Sequence, residues 1–261
     1  MKKKMMYTVG ILASAFVWLA GCGEKKEENR ESAFENEEKI EAEGMESTYN
    51  YLAIGNSVTR WEGKPEEVNK IWWSDYGMAA DCPENDYVHR VASHLEDRKD
   101  KVKVEAVCFQ EWESNEAGDR DSYLKELDDV VDEDLDLVTV QLGENITEKA
   151  PVTVQDYTTL INYLKEEAPD AQIIFLGQIL WNNDEVQRIK EQAAAECGVS
   201  FINLDDVRTD AQYKAGIGAE VLGDDGKMHT IHNEIVAEHP NNLGMQVIAD
   251  RINQTVDAYI D

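Results

Sequence analysis

Over residues 48–261 the spacing of apolar side chains switches between two periods in a regular order. Tyr51, Leu52, Ala53 and Ile54 form a short unbroken apolar run, which predicts a buried strand, and the turn formers Gly55, Asn56 and Ser57 follow it. Tyr87, Val88, Val91 and Leu95 fall at helical spacing and predict a helix over 84–98. Val102, Val104, Ala106 and Cys108 then alternate with Lys103, Glu105 and Val107 as a strand would. A stripe of Tyr123, Leu124, Leu127, Val130 and Val131 predicts a helix over 121–132, and 135–142 reads as a third strand. The spacing predicts a helix over 153–168, with Thr153 as a candidate cap and Pro169 as the stop. The most apolar strand follows over 171–180, then a helix over 184–197 closed by Gly198, a last strand over 201–204 and a closing helix over 242–259. Strands alternating with helices mean right-handed crossovers, a parallel sheet and helices on both of its faces. The predicted fold class is α/β, a three-layer α/β/α sandwich with a parallel sheet of about five strands.

The first 47 residues lack this pattern. Residues 1–4 are basic, 5–20 are mostly apolar, and Leu19, Ala20, Gly21 and Cys22 follow. A short charged start, an apolar core of this length and small residues before a cut form a secretory signal, too short and wrongly flanked for a stable span. The Leu-Ala-Gly-Cys ending resembles the bacterial lipobox. The resemblance implies a signal peptide over 1–21 and a mature chain that begins at a lipid-modified Cys22, held at a cell membrane by its acyl chains and facing outside the cytoplasm. Residues 22–47 are rich in Glu and Lys, with Phe34, Ile40 and Met45 as large apolar side chains. Such a stretch buries too little apolar surface to offset the entropy of ordering it, and reads as an acidic flexible tether. One domain over 48–261 remains, long enough for a sizeable core.

The formal charge of -29 argues against nucleic acid as a partner, because phosphate binding needs clustered Lys and Arg. Of four cysteines, Cys82, Cys108 and Cys197 lie in the domain, an odd count that permits at most one internal disulfide and leaves the pairing open. Cys108 and Cys197 sit in apolar patterns and are expected as buried thiols. No Cys-x-x-Cys spacing is present, His89 and His94 are five apart, and neither a metal nor a cofactor is expected.

Open α/β sheets bind ligands at the carboxyl ends of their strands, and three stretches of this chain reach that edge with polar side chains. Ser57 stands on the loop after the first strand. Gly143, Glu144 and Asn145 end the third. His239 precedes the closing helix, which would return it to the first loop. Together these stretches resemble the blocks of the SGNH, or GDSL-like, hydrolase family: Gly55, Asn56, Ser57, Val58, Thr59, with Asn56 in place of the commoner Asp; Gly143, Glu144, Asn145; and His239, Pro240, Asn241 followed by Gly244. The resemblance covers nearly the whole domain and implies the family's flavodoxin-like sandwich and ester hydrolysis. Ser57 would be the nucleophile and His239 its base, a role suited to a group with an ordinary pKa of about 6.5. The oxyanion would be held by the Ser57 backbone N–H, the Asn145 side chain and one further amide, with Gly143 among the candidates.

Two positions depart from the family. Val236 stands where an acidic residue is common, three before the histidine, so either Ser57 and His239 act as a dyad or another carboxylate, such as Glu234 or Glu238, orients the imidazole. The second block usually offers a glycine N–H, and here the chain reads Phe109, Gln110, Glu111, Trp112. Asn56, Trp61, Trp72 and Trp73 are taken as the substrate rim, since aromatic faces suit sugars and acyl groups. The expected activity is hydrolysis of small acyl esters, acetyl esters of a glycan in particular. The alternatives are an acyltransferase using the same residues, and an inactive glycan-binding lipoprotein on a decayed hydrolase scaffold. The acyl group, the alcohol and the oligomeric state stay open.

Overall fold

A computed structural model describes residues 48–61, 71–115, 118–181 and 183–260, and the structural statements below concern these. Cys22, the signal peptide and the tether lie outside them. In chain order the elements are β1 (Tyr49–Gly55), α1 (Tyr87–Glu96), β2 (Val102–Cys108), α2 (Gln110–Glu113), a 3₁₀ helix (Asp121–Leu127), β3 (Leu137–Gln141), α3 (Val154–Glu167), β4 (Gln172–Leu176), α4 (Asp184–Cys197), β5 (Ser200–Ile202), α5 (Asp205–Thr209), β6 (Glu220–Leu222), β7 (Met228–Thr230), α6 (Glu234–Ala237) and α7 (Asn242–Ile260). The main sheet has five strands in the order β2-β1-β3-β4-β5, each pair parallel, and β6 and β7 form a separate antiparallel hairpin.

Strand alternation divides the interior in two. Tyr51 and Ala53 of β1, with Ile174 and Leu176 of β4, face a core shared with α1 and α7. Leu52 and Ile54, with Val138, Val140 and Phe175, face the core shared with α3 and α4. Because successive side chains in a strand point to opposite faces, a strand covered on both sides is mostly apolar; in β3 the buried exceptions are Thr139 and Gln141, and the Thr139 hydroxyl is hydrogen-bonded to Tyr51 Oη at 2.9 Å. Only β2, at an edge, alternates with exposed Lys103 and Glu105, and such charges discourage pairing with another chain.

Local chemistry fixes the element ends. Asp86 caps α1 by accepting from His89 N at 2.8 Å. Thr153 and Asp156 form a reciprocal capping box at the start of α3, and Gly198 ends α4 in the left-handed region at φ 69°.

Several expectations are revised. The helix predicted over 121–132 is a 3₁₀ helix that stops at Leu127: Leu124 and Leu127 are buried, and the Val130 and Val131 N–H groups fold back onto the Leu127 carbonyl. An apolar pair three apart is all that a 3₁₀ turn needs. The strands predicted over 135–142 and 171–180 end at Gln141 and Leu176, and their trailing residues become loops at the carboxyl edge. The short elements α2, α5, α6 and the hairpin have too few residues to show a period, and the pattern did not reveal them. Cys108 and Cys197 are half-buried rather than buried.

The chain steps from β1 to β2 on one side and returns to β3 on the other. That reversal opens a crevice at the carboxyl ends of β1 and β3, where ligands bind in open α/β sheets. Ser57 and the Gly143–Asn145 loop follow those two strands directly.

Candidate active site

Gly55 is required where β1 meets its turn. A Cβ there would collide with the Thr59 side chain and sit 2.9 Å from the Gln141 carbonyl oxygen of β3. The chain then turns tightly, with the Thr59 and Arg60 N–H groups both donating to the Asn56 carbonyl at 2.9 Å. The Asn56 side-chain oxygen accepts from Val58 N at 3.2 Å, and Met78 N donates to the Ser57 carbonyl at 2.8 Å. Ser57 is therefore held from its own turn and from the segment before α1.

His239 comes from the far end of the chain and meets Ser57 Oγ through Nε2 at 2.8 Å. Its Nδ1 lies 2.9 Å from the Ile235 carbonyl oxygen. A carbonyl only accepts, so Nδ1 carries the proton and Nε2 is left as an acceptor for the Ser57 hydroxyl. The chain after the histidine is anchored by Asn241. Its side-chain amide donates to the Gln212 and Lys214 carbonyls at 2.8 and 2.9 Å, and its oxygen accepts from Leu243 N and Gly244 N at the start of α7, both at 3.0 Å. Gly244 is needed there because a Cβ would lie 2.7 Å from the Tyr213 carbonyl oxygen. The imidazole is 2% exposed, and burial lowers its pKa from 6.5 to about 4; the Ile235 carbonyl opposes that shift and the Lys214 charge adds to it.

Val236 is 1% exposed and packs in the core, so the position three before His239 turns inward and offers no carboxylate. Glu234 and Glu238 are exposed. The imidazole is oriented by the Ile235 backbone carbonyl, and among the described residues no carboxylate meets its Nδ1.

The oxyanion donors are arranged differently from expectation. Glu113, the last residue of α2, is completely buried, and its carboxylate joins the loops after β1 and β3. Oε1 accepts from Gly143 N, and Oε2 accepts from Asn145 Nδ2 at 2.6 Å. Asn56 Nδ2 lies 3.2 Å from both oxygens, and Asn145 N lies 3.5 Å from Oε1. The Gly143 N–H is thus committed to Glu113, which removes it from the candidate oxyanion donors. Gly143 itself holds a φ of 130°, open in practice only to glycine. In the second block Phe109 N donates to the Gly55 carbonyl at 2.6 Å and is also spent. Among the described residues, the second Nδ2 proton of Asn145 and the backbone N–H of Ser57 meet no acceptor.

A second buried acid lies beside this one. Glu144 accepts from Gln141 Nε2 at 3.2 Å, Ile179 N at 2.8 Å and Leu180 N at 3.2 Å, so it ties the loop after β3 to the loop after β4. Burial raises the pKa of both glutamates; hydrogen bonds from Asn145 and Gly143 oppose this for Glu113, and the Lys190 charge opposes it for Glu144. Lys190, fully buried on α4, is lowered to about 8 by burial against the attraction of Glu144 and Glu113.

Of the four residues taken as the substrate rim, Trp72 and Asn56 are buried, whereas Trp61 and Trp73 are partly exposed. Trp72 is fully buried and packs edge-on against Tyr76 at 5.3 Å, so it is a core residue. Asn56 is also fully buried and structural. Trp73 is stacked on the His229 ring of the β6–β7 hairpin at 4.5 Å, and Trp61 is half-buried against the same core as Trp72. Trp181, 38% exposed, lies in the loop after β4 at the carboxyl edge, and no apolar period in the sequence singles it out. Glu113 was missed too, although Phe109, Trp112 and Glu113 fall at i, i+3 and i+4, one helical face that is buried throughout.

No protein-family model and no curated protein sequence matches the chain. Solved structures do resemble it. A protein named as a GDSL-like lipase from Bacteroides uniformis ATCC 8492 aligns with a TM-score of 0.52 at 14% identity, over 81% of this chain and 96% of that one. Another so named, from Bacteroides ovatus ATCC 8483, gives 0.51 at 13% identity, over 80% and 99%. A family two carbohydrate esterase from Clostridium thermocellum, solved in complex with cellohexaose, gives 0.50 at 17% identity over 80% of this chain. The chain spans 64% of that esterase's length. At these identities the likeness is one of architecture, an α/β fold around a parallel five-stranded sheet: this chain has the fold of the SGNH, or GDSL-like, hydrolases.

Proposed function

We propose that the protein is a serine esterase of the SGNH type, tethered outside the cytoplasm through Cys22, that removes small acyl groups, acetyl in particular, from a glycan. The observation that carries the reading is the 2.8 Å contact between Ser57 Oγ and His239 Nε2, with Nδ1 protonated against the Ile235 carbonyl. It supplies a nucleophile, a base in the accepting tautomer and an orienting group, the three parts acyl transfer needs.

In the reaction, Ser57 Oγ attacks the ester carbonyl carbon while Nε2 takes the hydroxyl proton. The carbonyl π pair moves to oxygen, and that oxyanion accepts from the Ser57 N–H and the free Asn145 Nδ2 proton. Collapse expels the alcohol oxygen, which takes the proton from Nε2, and leaves Ser57 acylated. Water repeats the cycle on the acyl-enzyme, releasing the acid and restoring the serine. Burial keeps His239 neutral at pH 7 but makes it a weaker base, and the Ile235 carbonyl partly offsets this by accepting from Nδ1 of the imidazolium.

The glycan part of the reading is supported by exposed Trp181 at the sheet edge and by the cellohexaose complex of the Clostridium thermocellum esterase. The tether rests on the Leu-Ala-Gly-Cys sequence; loss of fatty-acid labelling in Cys22→Ser tests it. The esterase is tested by intact-mass analysis after treatment with a fluorophosphonate. One adduct on the wild-type protein and none on Ser57→Ala is expected, and an unlabelled wild-type protein between pH 7 and 8.5 would sink the proposal.

A further inference from the structure

The buried carboxylate of Glu113 has no part in the acyl-transfer steps, yet it holds donors from both loops of the site. A carboxylate only accepts, so each N–H that meets it is fixed in direction. The amide of Asn145 has an oxygen end and a nitrogen end of nearly the same shape, and what faces it decides which way it turns. Glu113 Oε2 faces it at 2.6 Å as an acceptor, and therefore selects the nitrogen end. One Nδ2 proton is consumed, and the other is left on the same nitrogen for an oxyanion.

The carboxylate is itself held rigidly. Phe109 and Trp112 bury the face of α2 that carries Glu113. The Arg120 guanidinium donates to the Glu113 backbone carbonyl at 3.2 Å and lies over the Trp112 ring at 5.4 Å. Asn56 Nδ2, from the turn that carries Ser57, also donates to the carboxylate.

We infer that Glu113 is a positioning residue of the oxyanion site, which locks the Asn145 amide with Nδ2 on the donor side and ties the loop after β3 to the turn carrying Ser57. The inference rests on the esterase reading. With Gln at 113, the new NH₂ opposes the Asn145 NH₂, the Asn145 amide turns over, and its oxygen then faces the oxyanion.

The test is a double-mutant cycle on the full-length protein with p-nitrophenyl acetate as the probe, each variant checked by circular dichroism. Glu113→Gln is expected to lower kcat about 10- to 100-fold with KM within about threefold, since a lost oxyanion donor acts on the transition state. Asn145→Ala is expected to lower kcat about 100-fold or more, and the double variant to fall within about threefold of Asn145→Ala alone, because both changes remove one interaction. A residue that only supports the fold would instead multiply its loss onto the Asn145→Ala background. If the Gln variant loses its fold, the cycle is run with Glu113→Asp, which keeps the acceptors but withdraws them by one methylene, and is read the same way. Turnover in Glu113→Gln equal to the wild type, additive losses, or a faster Gln variant, which would make the carboxylate a competitor for the oxyanion donors, each overturns the inference alone. No turnover and no Ser57 adduct in the folded wild-type protein overturns the esterase reading, and this inference with it.

Discussion

The carbonyl oxygen of Ile235 stands 2.9 Å from His239 Nδ1, in the place where a carboxylate would complete a three-residue relay. A neutral carbonyl fixes the same tautomer but stabilises an imidazolium less than a charge would. Position 236 is unsuited to an acid, because Val236 is 1% exposed within the core. Val236→Asp is therefore expected to destabilise the protein by on the order of 3–5 kcal/mol, as an uncompensated buried charge does, without raising kcat. Denaturant titration beside ester turnover measures both.

The depressed pKa of His239 sets a pH dependence. The imidazole stays in its base form down to about pH 4, so the acid limb of kcat/KM is expected near 4, below the 6.5 of a free imidazole. Between these values the unfolded chain binds a proton on this residue that the folded chain does not. His239 thus contributes stability that is fully present above pH 6.5 and is lost as pH falls towards 4. The unfolding free energy of the wild type relative to His239→Phe is expected to fall by on the order of 3 kcal/mol across that window. An acid limb at 6.5 would show that the imidazole is solvated in solution.

Asn145 offers one free Nδ2 proton to the site. Asn145→Ala is expected to reduce the rate of fluorophosphonate labelling of Ser57 about 100-fold or more, because the phosphonate oxygen occupies the same donors as an oxyanion. Labelling at the wild-type rate would remove Asn145 from the mechanism.

Trp72 and Trp181 differ in burial and should separate stability from binding. Trp72→Ala is expected to cost about 3–5 kcal/mol in denaturant unfolding, the cost of emptying a packed aromatic site. Trp181→Ala is expected to change stability by less than about 1 kcal/mol and, on the proposed glycan-esterase reading, to raise KM for an acetylated oligosaccharide more than for p-nitrophenyl acetate. Equal KM changes on the two substrates would remove Trp181 as a sugar contact.

The alternation of periods determined the layer architecture, because a strand or helix long enough to bury a face repeats its apolar residues at the spacing of that face. The same pattern showed that β1 and β3 end in Gly55-Asn56-Ser57 and Gly143-Glu144-Asn145, since glycines forced by close approach or by a positive φ leave a mark in the sequence. Tertiary structure alone decided which polar groups within those loops are spent. Gly143 N–H is consumed by Glu113, an acid 30 positions away whose helix is four residues long, too short to show a period. Trp72 was misassigned to the rim for a related reason: side-chain type does not distinguish a buried Trp72 from an exposed Trp181, and only the packing of the layers does. Periodicity reports a face averaged over several turns, whereas a hydrogen bond depends on one atom meeting another across the chain, and that meeting is fixed only when all the layers are in place.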